Sequence, residues 1–338
     1  MRQRFIILLV VILAALSLTA CAGGEAAGTS TPVPTETAIV PPTLTPTTAT
    51  PLAILVLPAD LDPDLSNLYQ KTVYDLTQAS GFRFQVRNTL TADDIIEPGL
   101  QVVISLPPDP GIAALATAAP QVQFLAINIP EVAAGGNISV LGNNAQTDVA
   151  GFLAGYTAAM ITDDYRIGML MPKDNPDALR ALNAFATGMK FYCGACRPVL
   201  LYNWTYPQFL EIGPEEDPAN YDAYADILLL QYKVQTIYLY PDIATTDLMT
   251  YIGTTGAYMI GTKPPEQQPA GWVMTIQPDI VKAIQNAWPG LASGQGGITV
   301  QSPLGLSDID PTLLTPGKQR LVEQTLNDLQ AGLISTGQ

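Results

Sequence analysis

From Leu52 onward, short apolar runs alternate with longer stretches of helical spacing. Ala53–Leu57 (AILVL) is a compact apolar run, the pattern of a strand covered on both faces. A helix is predicted from Asp64 to Ser80, with Leu65, Leu68, Tyr69, Val73 and Leu76 on one face and Gly81 as its stop. Phe82–Arg87 alternates like a half-exposed strand. Val102–Ser105 and Val122–Asn128 are strands flanking a helix at Gly111–Ala119, and Ile138–Leu141 is a further strand. Asp148–Ile161 is the clearest helix, with a stripe of Val149, Phe152, Leu153, Tyr156 and Met160. In it, Gly151 and Gly155 would admit a neighbouring backbone.

The alternation continues through strand Ile167–Met171, helix Pro176–Phe191, strand Val199–Tyr202, helix Tyr221–Tyr232 and strand Thr236–Tyr240. After these come helix Thr246–Thr254, strands Tyr258–Ile260 and Val273–Ile276, helix Asp279–Ala287 and strand Ile298–Gln301. The last predicted element is helix Pro316–Leu333, with a stripe of Val322, Leu326, Leu329 and Leu333. Strands alternating with helices predict parallel sheets covered on both faces, and the length suits two lobes. In open sheets of this kind, ligands sit beyond the carboxyl ends of the strands.

The first fifty residues follow different rules. Arg2 and Arg4 precede an apolar run from Phe5 to Leu18, too short for an ordinary spanning helix and placed like a signal h-region. Leu18-Thr19-Ala20-Cys21 then resembles the lipobox of bacterial lipoproteins, which implies cleavage before Cys21 and its acylation. An ordinary signal peptide with a chance cysteine is the alternative. Several acyl chains would anchor the protein stably at the cell membrane, outside the cytoplasm. Ala22–Pro51 is rich in Thr, Pro and Ala and nearly uncharged, a composition that stays extended. It reads as a tether.

Charge and residue absences narrow the function. The chain has 30 acidic and 15 basic residues, a net charge of −15, so a basic stripe for nucleic acid is not expected. It has no histidine, which removes Ser-His-Asp and Cys-His triads and histidine metal sites. Cys193 and Cys196 have C-x-x-C spacing; in an oxidising compartment this reads as a local disulfide, with a redox pair as the alternative. No metal or cofactor is expected.

Asn137-Ile138-Ser139-Val140, Gly151-Phe152-Leu153-Ala154-Gly155-Tyr156-Thr157-Ala158-Ala159-Met160 and Arg166-Ile167-Gly168-Met169 together resemble the basic membrane protein family. These are substrate-binding lipoproteins of ABC importers. Phe185 and Gly188, Ile260-Gly261, Gly305-Leu306 and Ala331-Gly332-Leu333-Ile334 match its later spacings. The resemblance implies a type I periplasmic-binding-protein fold: two Rossmann-like α/β lobes with parallel sheets, joined by three hinge crossovers. The expected division is residues 1–20 as signal, 21–52 as lipidated tether, 53–141 plus 258–290 as lobe 1, and 142–257 plus 291–338 as lobe 2. It also implies a small, nucleoside-like ligand, an ABC permease as partner, a monomer and no enzymatic activity. The sequence departs from the family in the first-strand loop, Asp60-Leu61-Asp62-Pro63-Asp64-Leu65-Ser66-Asn67, which lacks the aromatic. Asn128 and Thr262 stand where the family has aspartates that hold ribose.

The candidate ligand-binding residues are therefore Asp60, Asn67, Asn128, Lys173, Trp204, Tyr206, Asp242 and Lys263. Trp204 and Tyr206, taken to follow a strand end, could stack on a flat ligand or could simply pack. Asn67 and Asn128 could bond hydroxyls or could cap loops. Lys173, Asp174 and Asp242 follow strand ends and could be caps or solvated charges instead. Lys263 could select an anionic ligand or project into solvent. Beside the importer reading stand a ligand-sensing or scaffold lipoprotein that kept the fold without transport, and a surface hydrolase working through two carboxylates.

Overall fold

A computed structural model describes residues 49–142, 146–196 and 204–338. The signal segment, Cys21, nearly all of the tether and the predicted strand Val199–Tyr202 lie outside the described residues. Twelve strands form two six-stranded sheets among the described residues.

The first sheet is built from β1 (Leu52–Val56), β2 (Arg83–Arg87), β3 (Leu100–Ser105), β4 (Gln123–Ile127), β5 (Ile138–Gly142) and β11 (Thr299–Gln301), in the order β11-β5-β4-β3-β1-β2. All its pairings are parallel. β1 is buried along its whole length, and its side chains alternate between two cores. Ala53 and Leu55 face α1 (Pro63–Ser80) and α7 (Ile280–Ala292), whereas Leu52, Ile54 and Val56 face α2 (Ile112–Ala118). That explains why β1 reads as an unbroken apolar run rather than an alternating one. Asp62 caps α1 by accepting from the Asp64 and Leu65 amides, and Gly81 closes it in the left-handed region at φ 73°. The predicted stripe of α1 is buried only in part: Leu65 and Leu68, in its first turns, are about half exposed, whereas Val73 is fully covered.

The second sheet contains β6 (Ile167–Pro172), β7 (Gln208–Ile212), β8 (Thr236–Leu239), β9 (Tyr258–Gly261), β10 (Trp272–Pro278) and β12 (Leu304–Ser307), in the order β12-β10-β9-β8-β6-β7. Only β12 runs antiparallel to its neighbour. Around it lie α3 (Thr147–Ile161), α4 (Pro176–Cys193), α5 (Tyr221–Asp226), α6 (Thr246–Thr254) and α8 (Pro316–Gln330). α5 runs on into a π-helical turn, Ile227–Gln231. α3 is buried from Ala150 to Met160, far beyond a single stripe, because α4, α8 and the sheet surround it. α8 ends at Gln330, so Leu333 lies past the helix and is exposed. Cys193 and Cys196 are joined as a disulfide, Cα atoms 5.1 Å apart, closing the turn after α4.

The lobe boundaries differ from those expected. The expected division places β9 and β10 in the first lobe, but Ile237 pairs with Met259 and Ile260 with Met274, so both strands extend the second sheet. The chain returns to the first lobe only at Pro278–Asp279, where α7 begins. It contributes β11 there, with Val300 beside Leu141, and crosses back at Ser302–Pro303 to form β12. Fully apolar strands suit either sheet, so their pattern could not place them. The third crossing is bonded to each of the other two. The Asp279 amide donates to the Pro303 carbonyl at 2.7 Å, and Gln146 Nε2 donates to the Ser302 carbonyl at 2.8 Å.

Candidate functional site

The three crossings leave from the carboxyl ends of β5, β10 and β11. The strand ends that can carry chemistry therefore gather around the hinge. A cavity of about 470 Å³ opens there, on the side of the second lobe. Its rim comes from the exits of three adjacent strands: Tyr240, Pro241 and Asp242 after β8; Thr262, Lys263 and Pro264 after β9; and Gln277 and Pro278 at the end of β10. Gln146, Thr147 and Ala150, at the start of α3, close one side, and Ile276 and Leu304 form part of the apolar wall. A smaller hollow of about 270 Å³ marks the corresponding edge of the first lobe. It is bordered by Val56 at the end of β1 and Pro58 after it, Asn88 and Thr89 after β2, and Leu106 and Asp109 after β3.

The candidate residues divide by position. Asp242 and Lys263 line the larger cavity, and both are exposed. Asp242 also accepts a long bond, 3.4 Å, from Asn175, the residue that caps α4. Lys173 follows β6 on the same edge of the sheet. Its amide donates to the Ile212 carbonyl and its side chain is exposed outside the cavity lining. On the first lobe, Asp60 sits in the turn after β1, and Asn128 follows β4 with φ 50°, a left-handed conformation that asparagine tolerates. Both are exposed. Asn67 is on the exposed face of α1 rather than in the loop before it.

Trp204 and Tyr206 require a correction. Both precede β7, at the amino end of the second sheet, opposite the cavity edge. Trp204 meets Tyr232 edge-on, with ring centroids 4.9 Å apart, and the Tyr206 hydroxyl donates to the Tyr232 carbonyl at 2.6 Å. Tyr232 itself lies just before β8. The two aromatics thus pin the amino-end loops together, and burial pushes the Tyr206 phenol up from its ordinary pKa. Stacking on a ligand at the strand exits is out of their reach.

The aromatic groups at the cavity are instead Tyr238 and Tyr240, neither of them among the candidate ligand-binding residues. Tyr238 is 1% exposed and stacks on Phe185 with ring centroids 5.7 Å apart. Burial pushes its phenol well above the ordinary value; the Thr262 hydroxyl opposes that shift without meeting the geometry of a hydrogen bond. Tyr240 is raised first by burial and then by the Asp242 and Asp177 carboxylates. Both phenols stay protonated at neutral pH. Thr262 Oγ1 is sealed from solvent and has no hydrogen-bond partner among the described residues. The rule that singled out Asp242, a position just past a strand, applies equally to Tyr240. Gln146 carried only the weaker mark of preceding a helix.

Among the described residues, no cluster of Cys, Asp and Glu is arranged to hold a metal ion, and no helix is long and apolar enough to cross a membrane.

No family model and no curated protein matches the chain by sequence. Solved structures do share its fold. The ABC transporter system solute-binding protein from Conexibacter woesei DSM 14684 superposes with a TM-score of 0.55 over 85% of this chain and 98% of that one, at 16% identity. A transcriptional activator of the comK gene from Bacillus halodurans gives a TM-score of 0.50 over 85% of this chain and 99% of that one, at 14% identity. The chain therefore has the two-lobed α/β architecture of the type I periplasmic-binding class. The fold alone leaves open which activity it serves.

Proposed function

We propose that this chain is an extracytoplasmic binding lipoprotein. On this reading it is held by lipid at Cys21, closes its two lobes on a small solute and delivers it to an ABC permease. The observation that carries the reading is the cavity at the exits of β8, β9 and β10, beside the three crossings between the lobes. Such a hinge lets ligand contacts from both lobes bias the molecule toward a closed form. The cavity carries hydrogen-bonding groups and apolar walls but no paired catalytic constellation, which suits capture rather than turnover. A nucleoside is the ligand suggested by the resemblance to the basic membrane protein family. Thr262 and Lys263 stand in the cavity where that resemblance expects an acid, so the proposal stops at a small solute.

The expected result concerns the full chain, purified in detergent and screened by thermal shift against adenosine, inosine, guanosine and a low-molecular-weight metabolite extract. At least one sample should stabilise it, by about 2.7 kcal/mol at a hundredfold excess over the dissociation constant. Silence across the nucleosides would remove that ligand class; silence across the extract as well would contradict solute binding.

A further inference from the structure

Resting on that reading, we infer that the solute carries a carboxylate, held at the β9 exit by Lys263 and Thr262. Lys263 lines the cavity and makes no ion pair among the described residues, although five other pairs are formed. Its ammonium is therefore free to meet an anion that enters the cavity. Beside it, Thr262 Oγ1 is sealed from solvent, with the Tyr238 phenol near it but no hydrogen-bond partner among the described residues, a state that costs free energy unless something bonds it. A ligand oxygen arriving at the β9 exit would satisfy the hydroxyl and the ammonium together.

The start of α3 adds to the same side. Gln146 occupies its N-cap position, but its side chain is spent on the Ser302 carbonyl, so no side chain caps the first turn among the described residues. The positive end of the helix favours negative charge there, which Asp148 in the first turn already supplies in part. The carboxylate in the lining, Asp242, lies at the neighbouring β8 exit and bonds toward Asn175. A single lysine with no arginine in the lining suits a monoanionic carboxylate better than a phosphate dianion, which is commonly met by the guanidinium fork. Ala150, Ile276 and Leu304 supply apolar wall, so the rest of the solute is an aliphatic or aromatic body.

The test uses the full chain in detergent with phenylacetate and 4-methyl-2-oxopentanoate as carboxylate probes. Phenylacetamide, phenyl phosphate, adenosine and the metabolite extract serve as comparisons. The carboxylates should raise the melting temperature and the amide should not. Lys263→Gln should weaken carboxylate binding about tenfold or more while leaving the unliganded melting temperature unchanged, since the side chain is exposed and unpaired. Thr262→Val, which removes an unbonded hydroxyl at nearly constant volume, should weaken the same probes and leave the fold intact. Stabilisation by the amide, by adenosine or by phenyl phosphate in preference to the carboxylates overturns the inference. So does an extract that stabilises Lys263→Gln as well as it stabilises the parent chain; in these cases solute binding stands. If the extract is silent too, both the carboxylate and the binding reading fall.

Discussion

Replacing Gly155 with Ala should destabilise the protein by about 3 kcal/mol, the upper part of the range for overpacking a close contact. A methyl group built on Gly155 would overlap the Phe185 carbonyl oxygen. One on Gly188 would overlap the Phe152 carbonyl, and one on Gly151 the Ala181 carbonyl. The three glycines lie on the facing sides of α3 and α4, where the two backbones touch. Backbone atoms cannot swing aside as a flexible side chain would, so the helices must separate along their length. Buried packing of Phe152 and Phe185 would loosen with them. Gly317, in the first turn of α8, is a matched control, because a Cβ there meets nothing within 4 Å. Gly317→Ala should be neutral or stabilising, within about 1 kcal/mol, through helix propensity alone. Urea melts followed by circular dichroism give both values. Equal effects of the two substitutions would show that the close approach is not what Gly155 serves.

Trp272→Ala should cost about 3–5 kcal/mol, as expected for truncating a fully buried indole. Trp272 is 0% exposed, and its Nε1 donates to Thr275 Oγ1 at 3.2 Å. Its ring edge lies against Gly261, where a Cβ would meet it at 2.5 Å. Gly261 ends β9 and directly precedes Thr262 and Lys263. The indole is therefore the platform beneath the β9 exit, and its loss should affect the cavity as well as the fold. Trp272→Phe keeps most of the ring volume and should lose well under half as much stability. A denaturation series on the three proteins decides the matter; a truncation cost below about 1 kcal/mol would mean that the site collapses freely around the missing ring.

The alternation of apolar runs and helical stripes made the α/β class legible, because covered parallel strands and amphipathic helices differ in length and period. Gly81 as a stop and Gly151 and Gly155 as a close-approach face were also legible, since each follows from the missing Cβ. The membership of β9 and β10 was not, because nothing local in Tyr258–Gly261 or Trp272–Pro278 says which sheet will pair with them. β7 (QFLEI) escaped notice as an edge strand whose polar positions break the run. That omission moved Trp204 and Tyr206, in the reading of the sequence, from the amino end of the sheet to the ligand edge. Asp242 and Lys263 line the cavity, and the rule that ligands gather at strand exits points to both positions. The sealed Thr262 hydroxyl and the diversion of the Gln146 side chain to Ser302 depend on contacts across the fold, and no spacing in the sequence encodes them.

Amide hydrogen exchange on the full chain, with and without the metabolite fraction that stabilises it, tests most directly whether the strand exits of two lobes grip a solute. Slowed exchange is expected after β8, β9 and β10, at residues 240–244, 262–266 and 277–281. It is also expected in the first lobe, at residues 57–61 and 128–131. Protection confined to the opposite edge, around Thr205–Gln208 and Gly256–Tyr258, or to one lobe alone, would contradict capture between the lobes.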